Sequence, residues 1–352
     1  MKHELIKGNE AVIKGALLAG CTNYFGYPIT PASEIAEAAA YYFPKLNRCF
    51  IQAESEVAAI NMVYGAAAAG SRCMTASSGP GLSLKQEGIS YLAGAELPAV
   101  VVDVMRAGPG LGNVWPEQSD YNQIVKGGGH GSYKNFVLAP NSAQEMCDMT
   151  IQAFDIADKY RCTAVVLTDG CIGQMMEPVK FPDKVVVPQE KDWAIHGTAE
   201  TRKNVITSIY MSTETLKDLN DRLQKKYAEM QTHEQRSEDF MVEGASLIVV
   251  AYGITSRIAE NAIKELRAKG LKVGMIRLQT LFPFPKDRLQ KAVPLIKAML
   301  AAEMSAGQMV DDVKLAIEHK CPVEFFGTYG GSVPTVGQMS DAIEKAYQKH
   351  TS

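Results

Sequence analysis

The sequence predicts an α/β protein of two domains, each a parallel sheet covered by helices, joined by a charged helical segment. Three observations carry that expectation. Runs such as PAVVVDVM and SLIVVAYG are short and almost wholly apolar, the mark of strands buried on both faces. They alternate with longer helix-like segments, the rhythm of βα units. That rhythm breaks once, between residues 171 and 241, and then resumes. A chain of 352 residues allows two domains, and 46% hydrophobic with 21% charged residues suits a large buried core.

Taken in order, NEAVIKGALLAG reads as a helix with Asn9 as its cap and Gly20 as its stop, and NYFGY as a strand. YPITP turns into the helix ASEIAEAAAYYF, followed by the strand RCFIQ. Helix SEVAAINMVYGAAAAG and strand RCMTASS come next, then helix LSLKQEGISYLAGAE and strand PAVVVDVM. A further pair near NSAQEMCDMTIQAFDIADKY and TAVVLTDG closes the first domain, 1–180. In the linker, 181–241, prolines interrupt the pattern and TETLKDLNDRLQKKYAEMQTHEQRSEDF reads as an amphipathic helical insertion. Alternation resumes with SLIVVAYG, TSRIAENAIKELRAKG, LKVGMIRL, AMLAAEM and PVEFFG, a second α/β domain over 242–352.

Several function classes are disfavoured. A net charge of −3 and the lack of basic runs interleaved with aromatics argue against nucleic acid. MKHELIKGNEA lacks the apolar core of a secretion signal, and no apolar run approaches the ~18 residues of a membrane span. The expected location is cytoplasmic, away from membranes. Seven scattered cysteines without a C-x-x-C pair argue against an iron–sulfur cluster or a metal site in this chain. AYGIT lacks the G-x-G-x-x-G of a dinucleotide loop.

The candidate site is a constellation. In YPITPASE, Pro31 suits the first helical position, which makes Thr30 the N-cap. A hydroxyl and bare N–H groups would then face ligand where a strand hands over to a helix. Glu54 and Glu56 open a helix otherwise nearly free of charge; either carboxylate also simply complements the helix dipole. Gly79-Pro80-Gly81 joins a strand to the next helix, 23 residues after Glu56, one helix and one strand away. Arg106 ends an apolar strand, an awkward place for a lone arginine. Ile29, Gln118, Asp120 and the glycine-flanked His130 are further candidates for the mouth.

Glutamate, a small-residue helix and then SSGPG resemble the pyrimidine-binding module of thiamine diphosphate enzymes. YPITPASE, ESEVAAINMVYGAAAAG, LAGAELPAVVVDVMRAGPG and KGGGHG together resemble the alpha subunit of 2-oxoacid:ferredoxin oxidoreductases, over nearly the whole chain. SLKQEGISYLAGAELP and GQMMEPV point to the branched-chain, 2-oxoisovalerate type. VAYG, LFPFP and AAEMSAGQM resemble the transketolase C-terminal-like domain, which assigns Phe282–Pro285 and SAGQM to interface and core. The resemblance implies that Glu56 bonds N1′ of the aminopyrimidine, beside Gly79, Pro80 and Gly81, and that Thr30 and Arg106 hold the 2-oxo acid. TDG at 168–170 lacks the leading glycine of the diphosphate motif, and prolines follow it. A beta subunit is therefore implied to supply Mg²⁺ and the diphosphate contacts. Gamma and small ferredoxin-like delta subunits would complete the complex, with iron–sulfur clusters only in partner subunits. The implied reaction is coenzyme A-dependent oxidative decarboxylation of 2-oxoisovalerate with ferredoxin as acceptor. The alternatives are 2-oxoglutarate or pyruvate as substrate, or a non-catalytic scaffold.

Overall fold

A computed structural model describes residues 3–351; Met1, Lys2 and Ser352, at the outer ends of the expected domains, lie outside the described residues. β1 (His3–Lys7) runs straight into α1 (Gly8–Leu18). Then follow β2 (Asn23–Gly26), α2 (Ser33–Lys45), β3 (Cys49–Gln52), α3 (Glu56–Ala68), β4 (Cys73–Ser77) and α4 (Gly79–Gly94). β5 (Ala99–Met105) leads through a π-helical turn to β6 (Phe136–Leu138), α5 (Ala143–Tyr160), β7 (Thr163–Asp169), α6 (Gly170–Gln174) and β8 (Met176–Lys180). An irregular stretch precedes α7 (Thr213–His233) and β9 (Ser237–Phe240). The remainder is β10 (Leu247–Ala251), α8 (Gly253–Ala268), β11 (Val273–Leu278), β12 (Thr280–Phe282), α9 (Lys286–Ala292), β13 (Ala298–Glu303), α10 (Met309–Ala316), β14 (Val323–Gly327) and α11 (Val336–Thr351).

The first sheet has seven strands in the order β12-β6-β7-β5-β4-β2-β3, all parallel except β12. β5 and β7 are buried along their whole length, which is why their sequences are continuous apolar runs rather than alternating ones. The second sheet runs β14-β13-β10-β11-β9, parallel except for β9 at its edge. A small antiparallel pair, β1 with β8, has no counterpart in the sequence expectations.

The two units interlock. β12 belongs to the C-terminal stretch of sequence yet closes the first sheet by pairing with β6. β9, from the expected linker, edges the second sheet. The amphipathic α7 lays Leu219, Leu223, Tyr227 and Met230 into the core of the first unit, a stripe at helical spacing. Across the seam, the fully buried Arg277 on β11 forks onto Glu145 of α5 at 2.6 and 2.7 Å.

Two local expectations are corrected. Asn9 is not the cap of α1: β1 feeds the helix directly, Lys7 holds the cap position, and Asn9 is buried in the first turn. Gly20 does lie just beyond the helix end, with φ +78. A short helix, α6, does form after the TDG sequence, because Asp169 caps it by accepting from the N–H groups of Cys171 and Ile172 at 3.1 Å.

Candidate active site

The carboxyl ends of β2, β3, β4 and β5 lie side by side, the edge where an open parallel sheet receives ligands. Each delivers sequence-predicted residues: Thr30, Glu56, Gly79 to Gly81, and Arg106. After β3, Ser55 caps α3 by accepting from the Ala58 N–H at 3.1 Å, which places Glu56 in the first turn. Glu54 stays outside the helix and exposed, whereas Glu56 is 7% exposed. Among the described residues no donor reaches the Glu56 carboxylate. The fully buried Lys85 of α4 donates instead to the Glu56 carbonyl at 3.3 Å. Burial pulls the Lys85 ammonium down to a pKa of about 8, against the support of the Glu56 charge.

Gly79-Pro80-Gly81 is the first turn of α4 itself rather than a link before it. Pro80 has no N–H to leave unpaired there. Gly81 is required by proximity: a Cβ would stand 2.2 Å from Ser77 Oγ and 2.7 Å from Glu56 Oε1. The hydroxyls of Ser77 and Ser78 are buried with no partner among the described residues.

After β2, the YPITP segment does not cap a helix. The Ala32 N–H bonds the Ile29 carbonyl at 2.8 Å around a cis Thr30–Pro31 peptide, a tight turn that reverses the chain, and α2 begins only at Ser33. Thr30 is therefore the exposed tip of a turn rather than an N-cap, and Ile29 is half-buried behind it. The turn is pinned from the rear. Asn9 Nδ2 donates to the Pro31 carbonyl at 2.8 Å and to Glu34 at 3.1 Å, and Gln174 adds bonds to the same two groups. Held so, the turn brings the Thr30 carbonyl onto Arg106.

Arg106 leaves the end of β5 with its Nη1 on the Thr30 carbonyl at 2.9 Å and its Nη2 on the Leu111 carbonyl at 3.0 Å. Its Nε is buried without a partner, on the side of Gly79. Beside it opens a cavity of about 430 Å³ lined by both units, from Pro80 and Arg106 to Gln308 and Tyr329. SAGQM thus contributes Ala306 and Gln308 to the cavity as well as joining the units, because Gln308 donates to the Ser119 carbonyl at 2.9 Å.

Asp120 lies on the cavity wall, accepting from the Gly79 N–H at 3.1 Å and from Gln123 Nε2 at 2.6 Å. Burial raises its pKa to about 6 against those bonds and the nearby Arg106. Gln118 does not reach the mouth. It is fully buried, donating to the Tyr252 carbonyl at 3.0 Å and accepting from the Met304 N–H at 2.8 Å and the Thr255 hydroxyl at 3.1 Å. His130 is exposed on a loop that packs against Gln86 of α4, away from the cavity lining. Asp169 has its carboxylate taken by three N–H groups, the third that of Ile254 at 2.9 Å.

Sequence reasoning passed over Glu117, which accepts from the N–H groups of Gly330 and Gly331 at 2.6 and 3.1 Å and ties a loop of the second unit to the cavity rim. It also passed over Lys85 and Asp103. A lone charge inside an apolar run was the available signal for Asp103.

Residues 14–239 match the family "pyruvate flavodoxin/ferredoxin oxidoreductase, thiamine diP-binding", and residues 245–339 match "pyruvate:ferredoxin oxidoreductase core domain II". The chain is 56% identical to ketoisovalerate oxidoreductase subunit VorB of Methanothermobacter thermautotrophicus, across 98% of this chain and 97% of that protein. It is 39% identical to 2-oxoglutarate synthase subunit KorA of Archaeoglobus fulgidus, across 98% of this chain and 99% of that one. Among solved structures it resembles a 2-oxoglutarate:ferredoxin oxidoreductase from Magnetococcus marinus, with TM-score 0.89, 26% identity, and 99% of this chain matched to 66% of that longer one. A split-gene transketolase, at TM-score 0.62 and 16% identity, shares the fold. With both family modules matched in order, and full-length relatives named as oxidoreductase subunits, this chain belongs to the pyruvate flavodoxin/ferredoxin oxidoreductase family as a 2-oxoacid:ferredoxin oxidoreductase subunit.

Proposed function

We propose that this chain is the alpha subunit that binds a 2-oxo acid, 2-oxoisovalerate by preference, for coenzyme A-dependent oxidative decarboxylation with ferredoxin as acceptor. The observation that carries the choice of substrate is the charge of the cavity. Among the described residues lining it, Arg106 is the only cation, set with the carboxylates Glu117 and Asp120. One guanidinium with an unused N–H matches one carboxylate. The second carboxylate of 2-oxoglutarate would meet Glu117 and Asp120 without a second cation from this chain.

Thiamine diphosphate fits the residues present. Glu56 offers a carboxylate with no competing donor, at the floor of a cradle kept open by Gly81. When bound, the cofactor supplies the carbon nucleophile and the electron sink for decarboxylation. Glu56 holds a proton at the pyrimidine ring nitrogen, and its burial among Ala and Ile side chains of α3 strengthens that bond. Arg106 orients the acid's carboxylate, with Thr30 at the turn tip beside it. Asp169 spends its carboxylate on three main-chain N–H groups and the leading glycine of the diphosphate motif is missing, which supports a beta subunit as the source of Mg²⁺ and the diphosphate contacts. Gamma and delta subunits carry the iron–sulfur clusters, and the complex works in the cytoplasm.

The test is reconstitution. The chain is co-expressed anaerobically with its partner subunits, and viologen or ferredoxin reduction is followed with coenzyme A. Turnover should be fastest with 2-oxoisovalerate. Preference for 2-oxoglutarate or pyruvate would move the substrate, and no turnover with any 2-oxo acid would overturn the catalytic reading.

A further inference from the structure

Asp103 is the one polar residue of β5, three positions before Arg106, and it is completely buried. Among the described residues, neither of its oxygens has a conventional donor. Its strand neighbours are Ser77 on β4 and Leu167 on β7, and neither is ionisable. Its carboxyl lies within hydrogen-bonding reach of Asp120. Two carboxylates side by side in a protein interior cannot both be ionised.

The surroundings decide which one keeps the proton. Asp120 accepts from the Gly79 N–H and from Gln123, and it feels the charge of Arg106. Asp103 has none of these. The other ionisable groups near the pair are Tyr252, whose hydroxyl is buried without a partner, and beyond it Asp169 and Glu303. Asp169 accepts from three N–H groups, two on one oxygen and one on the other. Glu303 is saturated by the Ser305 hydroxyl and the N–H groups of Gln308, Met309 and Val310.

We propose that Asp103 is a neutral carboxylic acid donating its hydrogen to Asp120, and that this shared-proton pair positions Arg106 and the Gly79 turn. Deepening the functional reading above, it assumes that Arg106 receives the acid's carboxylate. The pair carries one negative charge, not two, opposite one guanidinium. Held by Asp103, Gly79 and Gln123, Asp120 has its lone pairs engaged and leaves the Arg106 Nε free for substrate. Without the Asp103 hydrogen, Asp120 loses one of its three donors and its charge draws on the neighbouring Arg106, whose Nε is unpartnered among the described residues, in competition with the incoming carboxylate. Asp103 and Asp120 are positioning residues on this account and touch no reacting atom.

The experiment compares Asp103→Asn with Asp103→Leu in the assembled complex. The asparagine amide is neutral and can donate to Asp120, so KM for the 2-oxo acid should stay within about twofold of wild type. The leucine variant has no donor, and KM for the 2-oxo acid should rise about tenfold, the worth of one hydrogen bond to a charged group. KM for coenzyme A should not move. In infrared spectra of the same complexes at neutral pH, one protonated-carboxyl C=O band should be present in wild type and lost in Asp103→Asn. An asparagine variant as impaired as the leucine one, or no band lost, overturns the neutral-acid assignment. An unchanged KM in a folded Asp103→Leu complex overturns the positioning role. A wild-type complex that turns over no 2-oxo acid overturns the functional reading and the Arg106 role with it, and the band still decides where the proton sits.

Discussion

Lys85 is an ammonium with 0% exposure and a single carbonyl partner, so it lowers the stability of the fold that contains it. Its pKa falls from 10.5 to about 8 on folding, chiefly by burial. Between those values the unfolded chain binds more protons than the folded one, so stability rises with pH across that window. Below about 8 both states are charged and the full cost, on the order of 3 kcal/mol, is present. Lys85→Met should therefore raise the melting temperature at neutral pH and abolish the stability gain between pH 8 and 10.5. Thermal melts across that range check it, and an unchanged or lower melting temperature at pH 7 would count against it. A buried cation retained at such a cost belongs to the electrostatics of Glu56, one helix away. At this scale the sequence was only half legible. It offered Glu54 and Glu56 as a pair, and what separates them is the Ser55 cap, which turns Glu56 inward and leaves Glu54 exposed. Asp103 was visible as an anomaly, but its reason is Asp120, which reaches it from an irregular segment with no periodicity to follow.

Among the elements, the YPITP turn depends on α1. Asn9, whose amide holds both the Pro31 carbonyl and Glu34, is the buried link between them. Asn9→Ala removes two hydrogen bonds and leaves the Pro31 carbonyl to the longer Gln174 bond at 3.3 Å, a loss of about 1–3 kcal/mol. Chemical denaturation should report that loss. In the assembled enzyme, KM for the 2-oxo acid should rise more than KM for coenzyme A, because Arg106 is anchored on the Thr30 carbonyl. Equal KM values for the acid in variant and wild type would show that the turn holds itself. The strands and helices were largely readable because parallel strands buried on both faces announce themselves as apolar runs. Misreadings fell where short polar segments owe their structure to a partner. HELIK and MEPVK pair only with each other, and Thr30 looked like a cap because the tight turn that displaces it is closed by the main chain.

For the whole molecule, one apolar core runs from Val101, Tyr121 and Leu167 of the first unit to Ile248, Tyr252 and Leu281 of the second, and buried polar clamps cross the same seam. Gln118 satisfies the Tyr252 carbonyl, the Met304 N–H and the Thr255 hydroxyl across the seam. Gln118→Leu leaves the Met304 N–H and the Thr255 hydroxyl unpaired and the Tyr252 carbonyl with only the Ser256 N–H at 3.4 Å, at about 1–3 kcal/mol for each orphaned group that water cannot reach. Urea unfolding should shift to a lower midpoint and lose its single transition, with amides of residues 245–339 exchanging first. A single transition with an unmoved midpoint would assign the seam to Arg277–Glu145 instead. None of this was readable beforehand, since WPEQSDYN lies in irregular chain whose side-chain directions no period encodes. The cavity is built on that seam, so the geometry around Arg106 inherits the rigidity of the clamp.

The strand β12 carries a consequence for how the protein comes into being. An unpaired strand edge is a template for association with other chains. The edge of β6, made early in synthesis, stays open until residues 280–282 have left the ribosome, some 140 residues later. A nascent chain stalled or cleaved within that interval presents a finished sheet with one raw border. The last stretch of the protein is thus a seal on the first, and truncations short of it invite aggregation rather than a smaller soluble domain.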